Sequence, residues 1–87
     1  MAVVLIQYAP SREAYEQLNA ELGSTAPPGC IVHTASEVGG KVRVVDVWES
    51  EQHIDDFFRN KLRPAFVKLG IGSEQPELTE TFNIEIG

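Results

Sequence analysis

Residues 30–50 read CIVHTASEVGGKVRVVDVWES, two runs of strand-forming residues joined by Gly39-Gly40. A two-glycine connection suits a type I′ hairpin turn, in which both central residues need positive φ. A two-residue loop fixes the register. Val38 then faces Lys41, Ala35 faces Val44, His33 faces Asp46 and Ile31 faces Trp48. Side chains alternate across a strand. One face of the hairpin therefore carries Ile31, His33, Ala35, Val44, Asp46 and Trp48, and the other Val32, Thr34, Arg43, Val45 and Val47. A histidine opposite an aspartate, beside a tryptophan, is the constellation in this chain that resembles a reactive site.

Eighty-seven residues make one domain, 1–87. A chain of this length buries roughly 60–65% of its unfolded surface, so self-association would add needed apolar burial. The formal charge of −6 disfavours nucleic acid, whose phosphates need a basic face, and an anionic membrane surface. Cys30 is the one cysteine, so neither an internal disulfide nor a paired-cysteine metal site can form. It reads as a small core residue. No apolar run reaches the roughly 18–20 residues of a membrane span, and the opening residues lack a basic start. The expected location is cytoplasmic.

The order of elements follows from period and punctuation. Ala2 to Tyr8 is a continuous apolar run, hence a strand covered on both faces. Ser11 is placed to cap a helix carrying Ala14, Tyr15, Leu18 and Leu22 on one stripe, closed by Gly23. Ser24 to Gly29 is a loop with Pro27-Pro28. After the hairpin, Ser50 caps a second helix with a stripe of Ile54, Phe57, Phe58, Leu62, Ala65, Phe66 and Leu69. Pro64 should kink that helix, or end it near Leu62 and start a short one. Turn signals at Gly72-Ser73 and Pro76 precede a last strand, Leu78 to Ile86. The result is β-α-β-β-α-β, an α+β ferredoxin-like fold. Right-handed crossovers give an antiparallel sheet in the order 4-1-3-2, with helices on one face. The other face carries valines, and a second copy of the same sheet is the simplest cover.

The run VRVVDVWESEQHIDDFF resembles a known pattern: a strand ending in Trp48, an E-S step, then a helix opening on acidic and aromatic residues. With the element order, it is similar to the dimeric α/β barrel superfamily, and within it to small antibiotic biosynthesis monooxygenase-like domains. The resemblance implies a homodimer and a pocket between sheet and helices. It implies, for some members, oxygenation of phenolic polyketide intermediates without any cofactor. Other members degrade haem, and further relatives are cyclases or isomerases. Trp48 matches the tryptophan at the end of the third strand. The haem-degrading members carry a histidine in mid-helix where this chain has Phe57-Phe58, with His53 only in the first turn. That departure argues against haem, and no histidine or carboxylate spacing here fits a metal site.

The catalytic candidates are His33 and Asp46. A carboxylate beside an imidazole fixes its tautomer, which suits a general base or acid near neutral pH. The alternative is a cross-strand ion pair that only stabilises the sheet. Substrate-binding candidates are Trp48, which could stack on a planar ligand or simply fill the core, Gln7 and Tyr8 at the end of the first strand, Tyr15 on the first helix, and Phe58. His53 is expected on the solvent side, Arg43 in a salt bridge with Glu37 or Glu85 across a dimer, and Arg59, Lys61 and Arg63 on a solvated face. The expected partner is a small apolar or aromatic molecule. Two function classes follow: a cofactor-free monooxygenase-like enzyme, or a cyclase or isomerase of the same fold, and against these a non-catalytic ligand-binding or assembly domain. An open cavity at His33 and Trp48 would favour an enzyme; filling of that space by Phe57, Phe58 and Phe66 would favour assembly.

Overall fold

Strand β1, Val3–Ala9, lies inside the sheet because both its neighbours pair with it antiparallel. In the computed structural model, which describes residues 1–23, 25–72 and 74–87, the elements run β1, α1 (Arg12–Leu22), β2 (Cys30–Val38), β3 (Lys41–Trp48), α2 (Glu51–Phe57), a π-helical turn (Phe58–Leu62), α3 (Arg63–Leu69) and β4 (Glu77–Glu80). The sheet order is β2-β3-β1-β4, the expected 4-1-3-2 read from the other edge. Ser24 and Ser73, which the sequence places in a loop and a turn, lie outside the described residues.

The helix starts obey local chemistry. Ser11 Oγ accepts the Ala14 N–H at 3.1 Å, and Ser50 Oγ accepts the His53 N–H at 3.3 Å. Pro64 is absorbed without a break. It offers no N–H, and its ring would collide with the carbonyl four residues back. The preceding turn widens instead: the Arg63 N–H bonds the Phe58 carbonyl, five residues earlier, and Pro64 falls in the first turn of α3.

Alternation along the strands decides which face is buried. Val3, Leu5 and Ala9 of β1 and Val42, Val44, Asp46 and Trp48 of β3 are buried under the helices. Val3, Leu5, Trp48 and Ile54 form one core cluster, joined by Cys30, Phe57 and Phe58; Ala9, Val42 and Val44 form a second, joined by Tyr15. On the opposite face Val4, Ile6, Val45 and Val47 are only half-buried.

Two sequence expectations are corrected. The hairpin turns at Gly39-Gly40, with φ of 57° and 83°, and the register holds from Val38 to Val32. It then shifts. Ile31 is the extra residue of a β-bulge and is 38% exposed, while Cys30 takes the place opposite Trp48. The shift exchanges a bulky side chain for a small one against the indole. The last strand is also shorter than Leu78 to Ile86. Glu80 pairs with Val3, the first residue of β1, and the Thr81 N–H reaches the Ala2 carbonyl at 2.8 Å, so β4 ends level with its partner strand. Phe82 is left 97% exposed.

Candidate functional site

The hairpin register and the helix-covered face meet at Asp46. Its residue is 4% exposed, and each carboxylate oxygen has a named donor. Oδ1 lies 2.7 Å from His33 Nδ1, and Oδ2 accepts the Trp48 indole N–H at 3.3 Å. Burial pushes the Asp46 carboxyl above its usual range, and the His33, Trp48 and Thr34 contacts oppose that shift. A carboxylate can only accept hydrogen bonds, so His33 Nδ1 carries the proton and Nε2 is the acceptor. Nε2 lies 2.7 Å from the Tyr15 hydroxyl, and the two rings are parallel to within 9°. The order is therefore Tyr15 O–H to His33, and His33 N–H to Asp46. Burial, and then the Asp46 charge, raise the Tyr15 phenol above its ordinary pKa.

The chain of hydrogen bonds opens on a cavity of about 670 Å³ between the sheet and the helices. Tyr15, His33, Asp46 and Trp48 share its wall with Phe57, Phe66, Leu18 and Val44. A volume of this size accommodates a drug-sized molecule. The phenylalanines do not fill it. Phe57 instead packs on Trp48, with ring centroids 5.4 Å apart and planes tilted by 38°. Trp48, 1% exposed, serves the core and the cavity together.

The remaining candidates separate. Gln7, paired with Val44, lies on the helix-covered face and lines the cavity. Tyr8 borders the cavity, but its place opposite Arg43 directs the phenol to the other face by alternation. Phe58 is replaced by Phe57 as the cavity residue. One helical step turns a side chain by about 100°, so Phe58 packs into the Trp48 core cluster instead. His53 keeps its side chain 42% exposed, as expected, yet it also lines the cavity and bonds Ser50 Oγ through Nδ1 at 2.7 Å. Glu37 bonds Arg12 at 3.2 Å, and Arg59 bonds Asp56 at the same distance. Cys30 lines the cavity too, with its thiol pushed up to about 11, first by burial and then by the Asp46 charge. It is a weak nucleophile at neutral pH.

Sequence reading overlooked Asn19 and Asn60, which bring polar groups to the cavity; Lys61, expected on a solvated face, is exposed and also borders it. A signal existed for Asn19, four residues after Tyr15 and so on the same helix face. The π-helical turn holds Asn60 and Lys61, and no periodicity argument foresees it. Among the described residues, no group of three or more His, Cys, Asp or Glu side chains is arranged to hold a metal ion. Among the same described residues, no helix is long and apolar enough to cross a membrane.

No family model matches the chain, and no curated protein matches it in sequence. Solved structures do match. A candidate antibiotic biosynthesis monooxygenase from Chloroflexus aurantiacus superposes with a TM-score of 0.70 at 17% identity, covering 100% of both chains. The Rv0793 protein from Mycobacterium tuberculosis gives 0.67 at 18%, covering 99% of this chain and 98% of the other. A candidate antibiotic biosynthesis monooxygenase from Deinococcus radiodurans gives 0.62 at 17%, covering 98% and 99%. Identities this low speak for architecture alone. The chain has the ferredoxin-like β-α-β-β-α-β fold of antibiotic biosynthesis monooxygenase-like domains.

Proposed function

We propose that this protein is a cofactor-free enzyme that removes a proton from a small aromatic or polyketide-like substrate, as the first step of an oxygenation. One observation carries the reading: the His33–Asp46 pair, bonded at 2.7 Å, stands on the wall of an open and largely apolar cavity beside Trp48. The pair accepts the proton as an imidazolium, and buried Asp46 holds the tautomer. The substrate class is one with an acidified methylene between conjugated rings. Its carbanion reduces dioxygen, a C–O bond forms, and the hydroperoxide loses water to leave a ketone. In sum, CH2 and O2 become C=O and H2O. Proton removal would equally begin a cyclisation or isomerisation, and oxygen uptake separates these outcomes.

A second reading, ligand binding without turnover, is favoured by one specific fact. Both ring nitrogens of His33 already have partners. Anthrone, a planar ketone with one activated methylene, tests the two readings. Protein-dependent oxygen uptake, and anaerobic exchange of the methylene protons with deuterated water, should both be lost in His33→Ala. Binding of anthrone without either reaction would leave the non-catalytic reading standing.

The same proposal includes a homodimer. The short chain, the half-buried valines on the open sheet face and the exposed Phe82, Ile84 and Ile86 support it.

A further inference from the structure

The imidazole of His33 has no free nitrogen. Nδ1 is held by Asp46 and Nε2 by the Tyr15 hydroxyl, each at 2.7 Å. A substrate in the cavity cannot reach the base without displacing Tyr15 or passing its proton through it. Displacement would strand a half-buried phenol, and α1 cannot move aside to carry it, because the Ser11 cap and the packing of Ala14 and Leu18 fix that helix. Tyr15 itself lines the cavity and packs against the Ala9, Val42 and Val44 cluster.

Resting on the function proposed above, we infer that Tyr15 is the residue that meets the substrate, and that Tyr15, His33 and Asp46 form a proton relay. As the substrate C–H bond breaks, its proton passes to the Tyr15 oxygen. The Tyr15 O–H bond breaks in the same event, and that proton passes to His33 Nε2. His33 becomes an imidazolium and keeps its Nδ1 proton on Asp46. The electron pair of the C–H bond stays on the substrate as a delocalised carbanion. Tyr15 begins and ends as a neutral phenol, so a free phenolate is never required. That suits a site where burial and the Asp46 charge both disfavour one. Trp48 is then a positioning residue: its indole N–H holds the second carboxylate oxygen and so the orientation of the relay. The sequence separates the three members by 18 and 13 residues, and only the fold makes them a line.

Tyr15→Phe keeps the ring and removes only the hydroxyl. The probe is anthrone, with anaerobic methylene exchange followed by proton NMR. Binding is read separately from quenching of Trp48, the one tryptophan in the chain. The relay predicts that Tyr15→Phe slows exchange at saturating anthrone by about 100-fold or more, with binding unchanged within a few fold. His33→Ala should lose exchange as well. Circular dichroism and the melting midpoint confirm that each variant is folded, and His33→Gln serves as the second base variant should His33→Ala unfold. Exchange retained or accelerated in Tyr15→Phe, with the His33 variant inactive, would show that His33 acts directly; the relay falls while the proposed function survives. Absence of exchange in the unmodified protein would remove both.

Discussion

The indole nitrogen of Trp48 donates to Asp46 Oδ2 at 3.3 Å from two residues along the same strand. Neighbours two apart on a strand share a face, so this bond is built into β3 before any helix packs on it. It gives a buried carboxylate a donor that needs no titratable partner. Trp48→Phe would remove that donor and leave a gap against Ile54 and Leu5. The expected loss is about 2–4 kcal/mol in urea denaturation, the sum of a hydrogen bond to a buried acceptor and partial cavity formation. A loss below about 1 kcal/mol would mean the indole N–H contributes nothing net.

Asp46 should leave a signature in stability against pH. Its carboxyl titrates above the ordinary 3.8 in the folded chain because burial disfavours the charge. The folded state then binds the proton more tightly than the unfolded state. Its contribution to stability is full below the ordinary value and is lost as pH rises through the raised one. Denaturation of the unmodified protein and of Asp46→Asn across that window should show the difference between them shrinking with rising pH. A difference that grows would show that pairing with His33 outweighs burial.

Gly29 packs against His53, a cavity residue outside the relay. Its φ is 89°, and a methyl group there would collide with the His53 ring, including the atoms nearest the His53 backbone. Gly29→Ala should destabilise by about 1–3 kcal/mol. It should also displace His53, visible as a changed imidazole resonance in NMR. An unchanged His53 signal with full stability would refute the close packing.

The proposed homodimer places the apolar residues of the C-terminal segment in a second copy's interface. Light scattering at micromolar concentration should give twice the chain mass. Replacing Phe82 and Ile86 together by serine should shift the mass toward the monomer without melting the relay side of the sheet. A monomer for the unmodified protein would exclude this assembly.

Much of the fold was legible because its signals are local. Gly39-Gly40 set the hairpin turn, Ser11 and Ser50 set the helix starts, and apolar period set the element types, so the sheet order followed from crossover handedness. The same turn placed His33 opposite Asp46. Three features were not local, and tertiary structure decided them. The bulge at Ile31 appears only when β2 must place a small residue against Trp48 in a packed core. The last strand ends level with its partner β1, at Glu80 opposite Val3, and not where its own alternation ends. Tyr15 gave no sequence sign of bonding His33, because a helix and a strand acquire a shared geometry only by packing on the same buried face. Periodicity tells which face a side chain takes; packing alone tells what it meets there.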